Sequence, residues 1–85
     1  MMTKDRIKSI AAILNSCDLE MSSKTLTGKY IPKFNTSDIG STQCILNIMA
    51  YLGLISKISK PIPGKLTYRV TYKRNKKMIA LNLEI

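Results

Sequence analysis

The feature that most constrains the fold of this chain is a change in the period of its apolar residues between positions 36 and 74. A helical period runs through residues 41–52 and stops at Gly53, a residue type that commonly ends helices in the left-handed conformation. A short apolar strand follows, and the next loop contains two prolines, which lack the N–H donors of a strand. A cleanly alternating segment comes last, so the pattern predicts a helix followed by a β-hairpin.

The faces of the two predicted strands follow from their alternation. The first strand, residues 54–59, is expected to end before Pro61; one face carries Leu54 and Ile58, and the other carries Lys57 and Ser59. The second strand covers residues 66–72, with an inward face of Leu66, Tyr68, Val70 and Tyr72. Its outward face carries Thr67, Arg69, Thr71 and Lys73. These tyrosines, with Tyr51, could instead stack on single-stranded nucleic acid, but sharing a face with Leu66 and Val70 favours core packing for Tyr68 and Tyr72.

Two further helices are predicted before this segment. The first begins at Thr3 and ends near residues 16–18, because an apolar stripe follows the helical spacing: Ile7, Ile10, Ala11 and Leu14. The second covers residues 24–30 after a serine cap, and Pro32 ends it. The third begins at Thr36 or Ser37, and its inward face carries Thr42, Ile45, Leu46, Met49 and Leu52.

The predicted fold class is therefore α+β, with three helices followed by a β-hairpin in a single domain of 85 residues. Residues 78–85 alternate more loosely. They are expected to form a third strand or a dimerising tail, and a final helix is the other interpretation.

Charge is the most informative bulk property, because 14 Lys and Arg against 5 Asp and Glu give a net charge of +9. Eight of the bases lie between Lys57 and Lys77, a stretch without any acid, which favours a polyanionic partner. Lysines that protect exposed strand edges are the alternative, but they explain one or two bases rather than eight. No apolar run approaches the roughly 18 residues of a membrane span, and the N-terminus does not resemble a signal peptide.

The chain contains no histidine and only two cysteines, Cys17 and Cys44. Histidine-dependent acid–base chemistry and the usual zinc sites are therefore excluded, and no paired carboxylates point to an enzyme or a cofactor. Both cysteines are expected to be small buried apolar residues in a reducing cytoplasm.

The third helix carries the first group of candidate contacts. Gln43 and Asn47 are four residues apart, so they project from one face, and their amides are the groups that pair bidentately with adenine in the major groove. Ser37 and Ser41 lie near the helix N-terminus and could donate to phosphates or base edges. The alternative is that these side chains are ordinary surface residues.

The hairpin carries the second group, which comprises Lys57, Lys60, Lys65, Thr67 and Arg69. A hairpin with this charge can follow a duplex backbone or place its tip in the minor groove. The two prolines would stiffen the tip and reduce the entropy lost on binding.

The helix ILNIMAYLGLI and the strand–loop–strand SKISKPIPGKLTYRVTY together resemble the winged helix-turn-helix family of DNA-binding proteins, common among small bacterial and archaeal regulators. The resemblance implies a recognition helix at about residues 37–52 and a basic wing at about residues 57–69. It places Ser41, Gln43, Cys44 and Asn47 towards the major groove. It implies wing contacts with the backbone or minor groove from Lys60, Lys65 and Arg69. The chain departs from the family where Gly28 and Pro32 interrupt the second helix.

The function expected from these observations is double-stranded DNA binding by a cytoplasmic, nucleoid-associated transcriptional regulator. A homodimer that reads two half-sites is expected, because one small recognition helix gives limited affinity. The alternative is a winged-helix module that binds RNA or an acidic protein without sequence-specific readout of DNA.

Overall fold

A computed structural model describes residues 3–16 and 19–75 of the chain. The helices are α1 (Thr3–Ser16), α2 (Ser23–Tyr30) and α3 (Thr36–Tyr51), and the strands are β1 (Ile55–Pro61) and β2 (Tyr68–Arg74). The predicted α+β order of three helices and an antiparallel two-stranded hairpin is confirmed. Cys17 and the predictions for residues 78–85 lie outside the described residues.

The helix boundaries follow from local capping. The Ser22 side chain accepts the N–H of Thr25 at the start of α2. At the start of α3, Asn35 and Asp38 form a reciprocal capping box. Gly53 has a φ of 78°, the left-handed conformation expected of a residue that follows a helix. The start of α3 at Thr36 is one of the two predicted starts, and the helix ends at Tyr51, one residue before the predicted end.

The core lies between the three helices and the base of the hairpin, and buried side chains come from every helix, among them Ile10, Leu14, Leu26, Leu46 and Met49. The predicted stripes of α1 and α3 supply most of it. Leu52 is an exception, since 53% of it is exposed. Leu52 was predicted to be buried, but it lies in an open groove beside α1, where Ile7 and Leu54 cover it only in part.

The hairpin is longer than predicted, because β1 continues through Lys60 to Pro61. Pro61 lies opposite Tyr68, and the next pair is hydrogen bonded, with the N–H of Ile62 donating to the carbonyl of Thr67 at 3.1 Å. Because hydrogen-bonded and non-hydrogen-bonded pairs alternate, Pro61 occupies a position where no donor is needed towards β2. Its missing N–H would point to the open edge of the sheet, where proline is tolerated.

The inward face of the hairpin also differs from the prediction. Ile55 is buried and lies on the same face as Tyr72, so the odd-numbered residues of β1, including Lys57 and Ser59, face the core side. Ile58 lies on the opposite face from Lys57 and Ser59, as predicted, and is half-buried. Leu66 and Tyr68 were predicted to be inward, but their exposed fractions are 103% and 65%. The alternation is real, but the hairpin extends beyond the helices, so only Tyr72 is buried on β2.

The base of β2 is held on its second edge by the segment between α1 and α2. Met21 forms an isolated antiparallel bridge with Tyr72, with backbone hydrogen bonds of 2.9 and 2.8 Å. This bridge joins the hairpin to the helices at one defined point. Among the described residues, no helix combines the length and apolar character that crossing a membrane requires.

Candidate nucleic-acid interface

All residues that the sequence predicted as DNA contacts are exposed: Ser37, Ser41, Gln43, Cys44, Asn47, Lys57, Lys60, Lys65, Thr67 and Arg69. The five on α3 lie away from the buried stripe of that helix. Cys44 was also expected to be a buried apolar residue, and that expectation was wrong, because its position on the helix is opposite the core. Cys44 is a free thiol.

The exposed surface of α3 contains polar side chains but no Lys or Arg. Gln43 and Asn47 lie one helical turn apart on this surface, which we call the amide face. Gly40 lies one turn before Gln43, and a side chain added there would meet no other atom within 4 Å. The surface around Gly40 is therefore open, and the amide face presents neutral donors and acceptors rather than charges.

The two serines of α3 are used within the helix. The hydroxyl of Ser37 donates to Asn35 Oδ1 at 2.8 Å, and the hydroxyl of Ser41 donates to the carbonyl of Ser37 at 3.1 Å. Their protons therefore point to the protein, whereas the sequence predicted that they could donate to phosphates. The serine oxygens keep their acceptor capacity, so a contact with a nucleic acid would use a donor of the base edge.

Asn47 joins the amide face to the hairpin. The hydroxyl of Tyr72 donates to Asn47 Oδ1 at 3.1 Å. Tyr72 is only 1% exposed, and burial raises the pKa of its hydroxyl above the ordinary value of 10.0. The bond orients the Asn47 amide so that its carbonyl oxygen faces the protein. The sequence did not predict this contact, because the two residues are separated by 25 positions.

The cations of the hairpin are divided between its two faces. Lys57 lies opposite Tyr72, on the face that packs towards α3. Lys60 lies opposite Arg69 on the other face, and Thr67 shares that face because it pairs with Ile62. The sequence predicted these residues as one group, whereas the structure brings Lys57 to the Asn47 side and places Lys60 and Arg69 on the reverse side.

Lys60 and Arg69 form a pair of like charges directly across the two strands. Such a pair is destabilising unless an anion lies near it. Glu20 supplies one negative charge, since its carboxylate lies 3.4 Å from Lys60 Nζ at an exposed position. Lys60, Lys65 and Arg69 also line one concave surface at the hairpin tip. Three cations around a concavity, with one carboxylate beside them, leave an excess of positive charge that suits a phosphate.

A polar network fixes α3 against the other two helices. Arg6 of α1 is buried; its guanidinium donates to the Tyr30 hydroxyl at 3.1 Å and lies 3.5 Å from the Asp38 carboxylate. The Tyr30 hydroxyl also bonds to Thr42, which accepts a 2.8 Å hydrogen bond from Thr27. All three helices take part, so the network sets the position of the amide face relative to α1 and α2.

The sequence analysis did not identify Arg6, although a signal was present. Arg6 lies four residues before Ile10, which places it on the apolar stripe of α1. A charged residue on a buried stripe needs an internal partner, and here Asp38 at the start of α3 provides it.

Comparisons of this chain with protein-family models, with curated proteins and with solved structures found no match.

Proposed function

We propose that this protein is a double-stranded DNA-binding protein of the winged helix-turn-helix type that acts as a transcriptional regulator. In this proposal α3 lies in the major groove, and the hairpin is the wing that contacts the backbone and the minor groove. Both the expected order of elements and the exposure of the candidate residues agree with such a role.

The observation that carries the proposal is the hydrogen bond between Tyr72 and Asn47. It joins the neutral amide face to a hairpin that contains six basic residues and no acidic ones. Of these, Lys57 lies on the joined face, and Lys60 and Arg69 lie on the reverse face. Sequence in the major groove is read by amide and similar groups, while phosphate contacts fix position and supply affinity. A duplex offers both kinds of partner at neighbouring positions.

Asn47 is expected to read a base through its N–H groups. Its carbonyl oxygen already accepts the Tyr72 proton, so a second acceptor bond at that oxygen is less available. The Gln43 amide has no such hydrogen bond with any residue that the structure describes, so we assign the bidentate contact with adenine to Gln43. This ranking makes Gln43 the sharper probe of sequence preference.

The proposal includes a homodimer, which would place two copies of α3 one helical turn of DNA apart. Its support is the family resemblance and the small size of the domain. Sedimentation of the protein with a saturating duplex tests it, and two chains per duplex are expected.

The decisive experiment is retardation of labelled duplex DNA and of structured RNA in a gel at about 150 mM salt, close to physiological ionic strength. We expect the wild-type protein to retard the duplex more strongly than the RNA. The affinity should fall with salt, with a log–log slope of roughly −4 to −5 for four to six phosphate contacts.

Selection of bound sequences from a random duplex library then tests the regulator assignment. Enrichment of one sequence over the starting library is expected. A protein that retards no duplex at this salt would be assigned to an acidic protein partner, and one that prefers RNA to the RNA-binding alternative. Duplex binding without enrichment would remove the sequence-specific part of the proposal.

A further inference from the structure

The hairpin tip, residues 61–68, is closed by hydrogen bonds of its own backbone. The N–H of Lys65 donates to the carbonyl of Ile62 at 3.1 Å, which closes a turn with Pro63 and Gly64 at its centre. Gly64 has a φ of 77°, so the turn is of the type that takes proline first and glycine second. The pairing of Ile62 with Thr67 closes the loop below it. These hydrogen bonds give the tip a defined backbone conformation.

This tip presents apolar side chains to solvent. Leu66 is fully exposed, although it directly follows the turn in a segment with a defined backbone. Tyr68 is also largely exposed and lies across from Pro61. A single exposed leucine is common on protein surfaces. A leucine that directly follows the turn of an ordered hairpin, with no described residue packed on it, is positioned to enter a partner.

The surroundings of Leu66 define the chemistry of that partner. Lys60, Lys65 and Arg69 line the concave surface at the same tip, and the hairpin contains no acidic residue. An apolar side chain beside a cationic concavity matches a polymer that has anionic edges and an apolar, stacked interior. Duplex DNA has this combination, with phosphates on both rims of the minor groove and stacked bases at its floor.

We propose that Leu66 acts as a wedge that enters between two stacked base pairs from the minor groove and bends the duplex. Leucine and proline side chains are used in this way by proteins that kink DNA towards the major groove. The proposal rests on the DNA-binding function proposed above and adds the mode of contact at the tip. The backbones of a strand pair are about 4.8 Å apart before side chains are counted, and the minor groove is about 6 Å wide, so a paired hairpin is too wide to enter. Only a side chain beside the turn enters, while the cations remain at the phosphates.

The test uses a duplex labelled with a donor and an acceptor dye at its ends and with 2-aminopurine at successive positions. Saturating wild-type protein should shorten the distance between the ends. It should also raise 2-aminopurine fluorescence about twofold at one base step, because that step is unstacked. Leu66→Ala should lose both signals and keep the salt dependence of binding, because the phosphate contacts remain. Leu66→Met should restore them, since methionine is also used as a wedge.

Leu19→Ala is the matched control, because Leu19 is an exposed leucine outside the hairpin. It should bend the duplex like the wild type. A wild-type complex without bending or unstacking would overturn the wedge while leaving DNA binding intact, and so would an unchanged bend with Leu66→Ala. A wild-type protein that binds no duplex would overturn both proposals.

A lipid surface is the other partner that combines anionic groups with an apolar interior. Sedimentation with vesicles of phosphatidylserine and phosphatidylcholine addresses it. We expect no binding that depends on Leu66, because one leucine side chain offers too little apolar area for stable anchoring. Leu66-dependent binding to these vesicles, together with an undistorted duplex, would assign the tip to a membrane surface and overturn the wedge.

Discussion

The amide face of α3 and the outer half of the hairpin are the two exposed surfaces of interest, and they are supported in different ways. The amide face belongs to a helix that is held by the core and by the Arg6 network. The outer half of the hairpin extends past the helices and is held mainly by its own strand pairing.

The chemistry of the two surfaces matches the way each is supported. Neutral amides depend on the position and angle of each hydrogen bond, so they benefit from a rigid support. Charges act over longer distances and tolerate variation in geometry. In the proposed function, α3 supplies sequence preference and the hairpin supplies affinity, and three experiments address this division.

Removal of hairpin charge should give the largest effect. Lys65→Ala combined with Arg69→Ala removes two phosphate contacts, so duplex affinity should fall about 25-fold at physiological salt and the log–log slope should decrease by about 2. All duplex sequences should be affected alike. Fluorescence anisotropy at several salt concentrations measures both quantities.

The matched control is Lys4→Ala with Lys8→Ala, which removes the same charge from exposed positions on α1. Its slope should remain that of the wild type. An equal loss in both double variants would show that net charge alone governs binding and would end the comparison between the two surfaces.

Truncation of the amide face should have a smaller effect that depends on sequence. Gln43→Ala should weaken binding to the selected sequence about tenfold, because one bidentate base contact is lost. Binding to random duplex should be unchanged, since Gln43 carries no charge. Competition between the two duplexes measures the ratio. If both affinities fell equally, α3 would have no role in reading sequence.

The smallest effect concerns the link between the two surfaces. Tyr72→Phe removes the hydrogen bond to Asn47, so the free energy of unfolding should fall by about 1 kcal/mol at neutral pH. Urea unfolding measures this value. Tyr68→Phe is the control on the same strand. Because the Tyr68 side chain is largely exposed, this substitution should leave the free energy of unfolding unchanged.

The stability difference between the wild-type protein and Tyr72→Phe should depend on pH. Because burial raises the pKa of Tyr72 in the folded state, its contribution is fully present below the ordinary value of 10.0 and is lost as the pH rises through the folded pKa. The stability difference between wild type and Tyr72→Phe should therefore be constant up to about pH 10 and shrink above it. A difference that grew with pH would contradict the assigned environment of Tyr72.

Much of the fold could be predicted from local sequence. The ends of the helices fall within one or two residues of the prediction, because Ser22, Asn35 and Gly53 act within one helical turn. The sequence could not predict which alternate residues of β1 face the core, since Leu54 and Ile55 are both apolar and both buried. Which of the two begins the core-facing side of β1 depends on where α3 ends.

The exposure of the site was predicted better than its internal connections. A 3.6-residue period separates buried from exposed positions on α3, so Gln43 and Asn47 were correctly expected at the surface. Strand alternation gives the face of Leu66 but not how far the hairpin extends past the helices. The position of Arg6 on an apolar stripe indicates that it needs a partner, but no local pattern identifies Asp38, in a distant segment, as that partner.

The bridge between Met21 and Tyr72 has a consequence for how this protein can change during evolution. The described contacts that tie the hairpin to the core lie at its base, near this bridge. Substitutions in the outer loop therefore leave folding largely unaffected, and its length and composition can diverge faster than the rest of the domain. The loop can therefore vary while the contacts at the base of the hairpin stay the same.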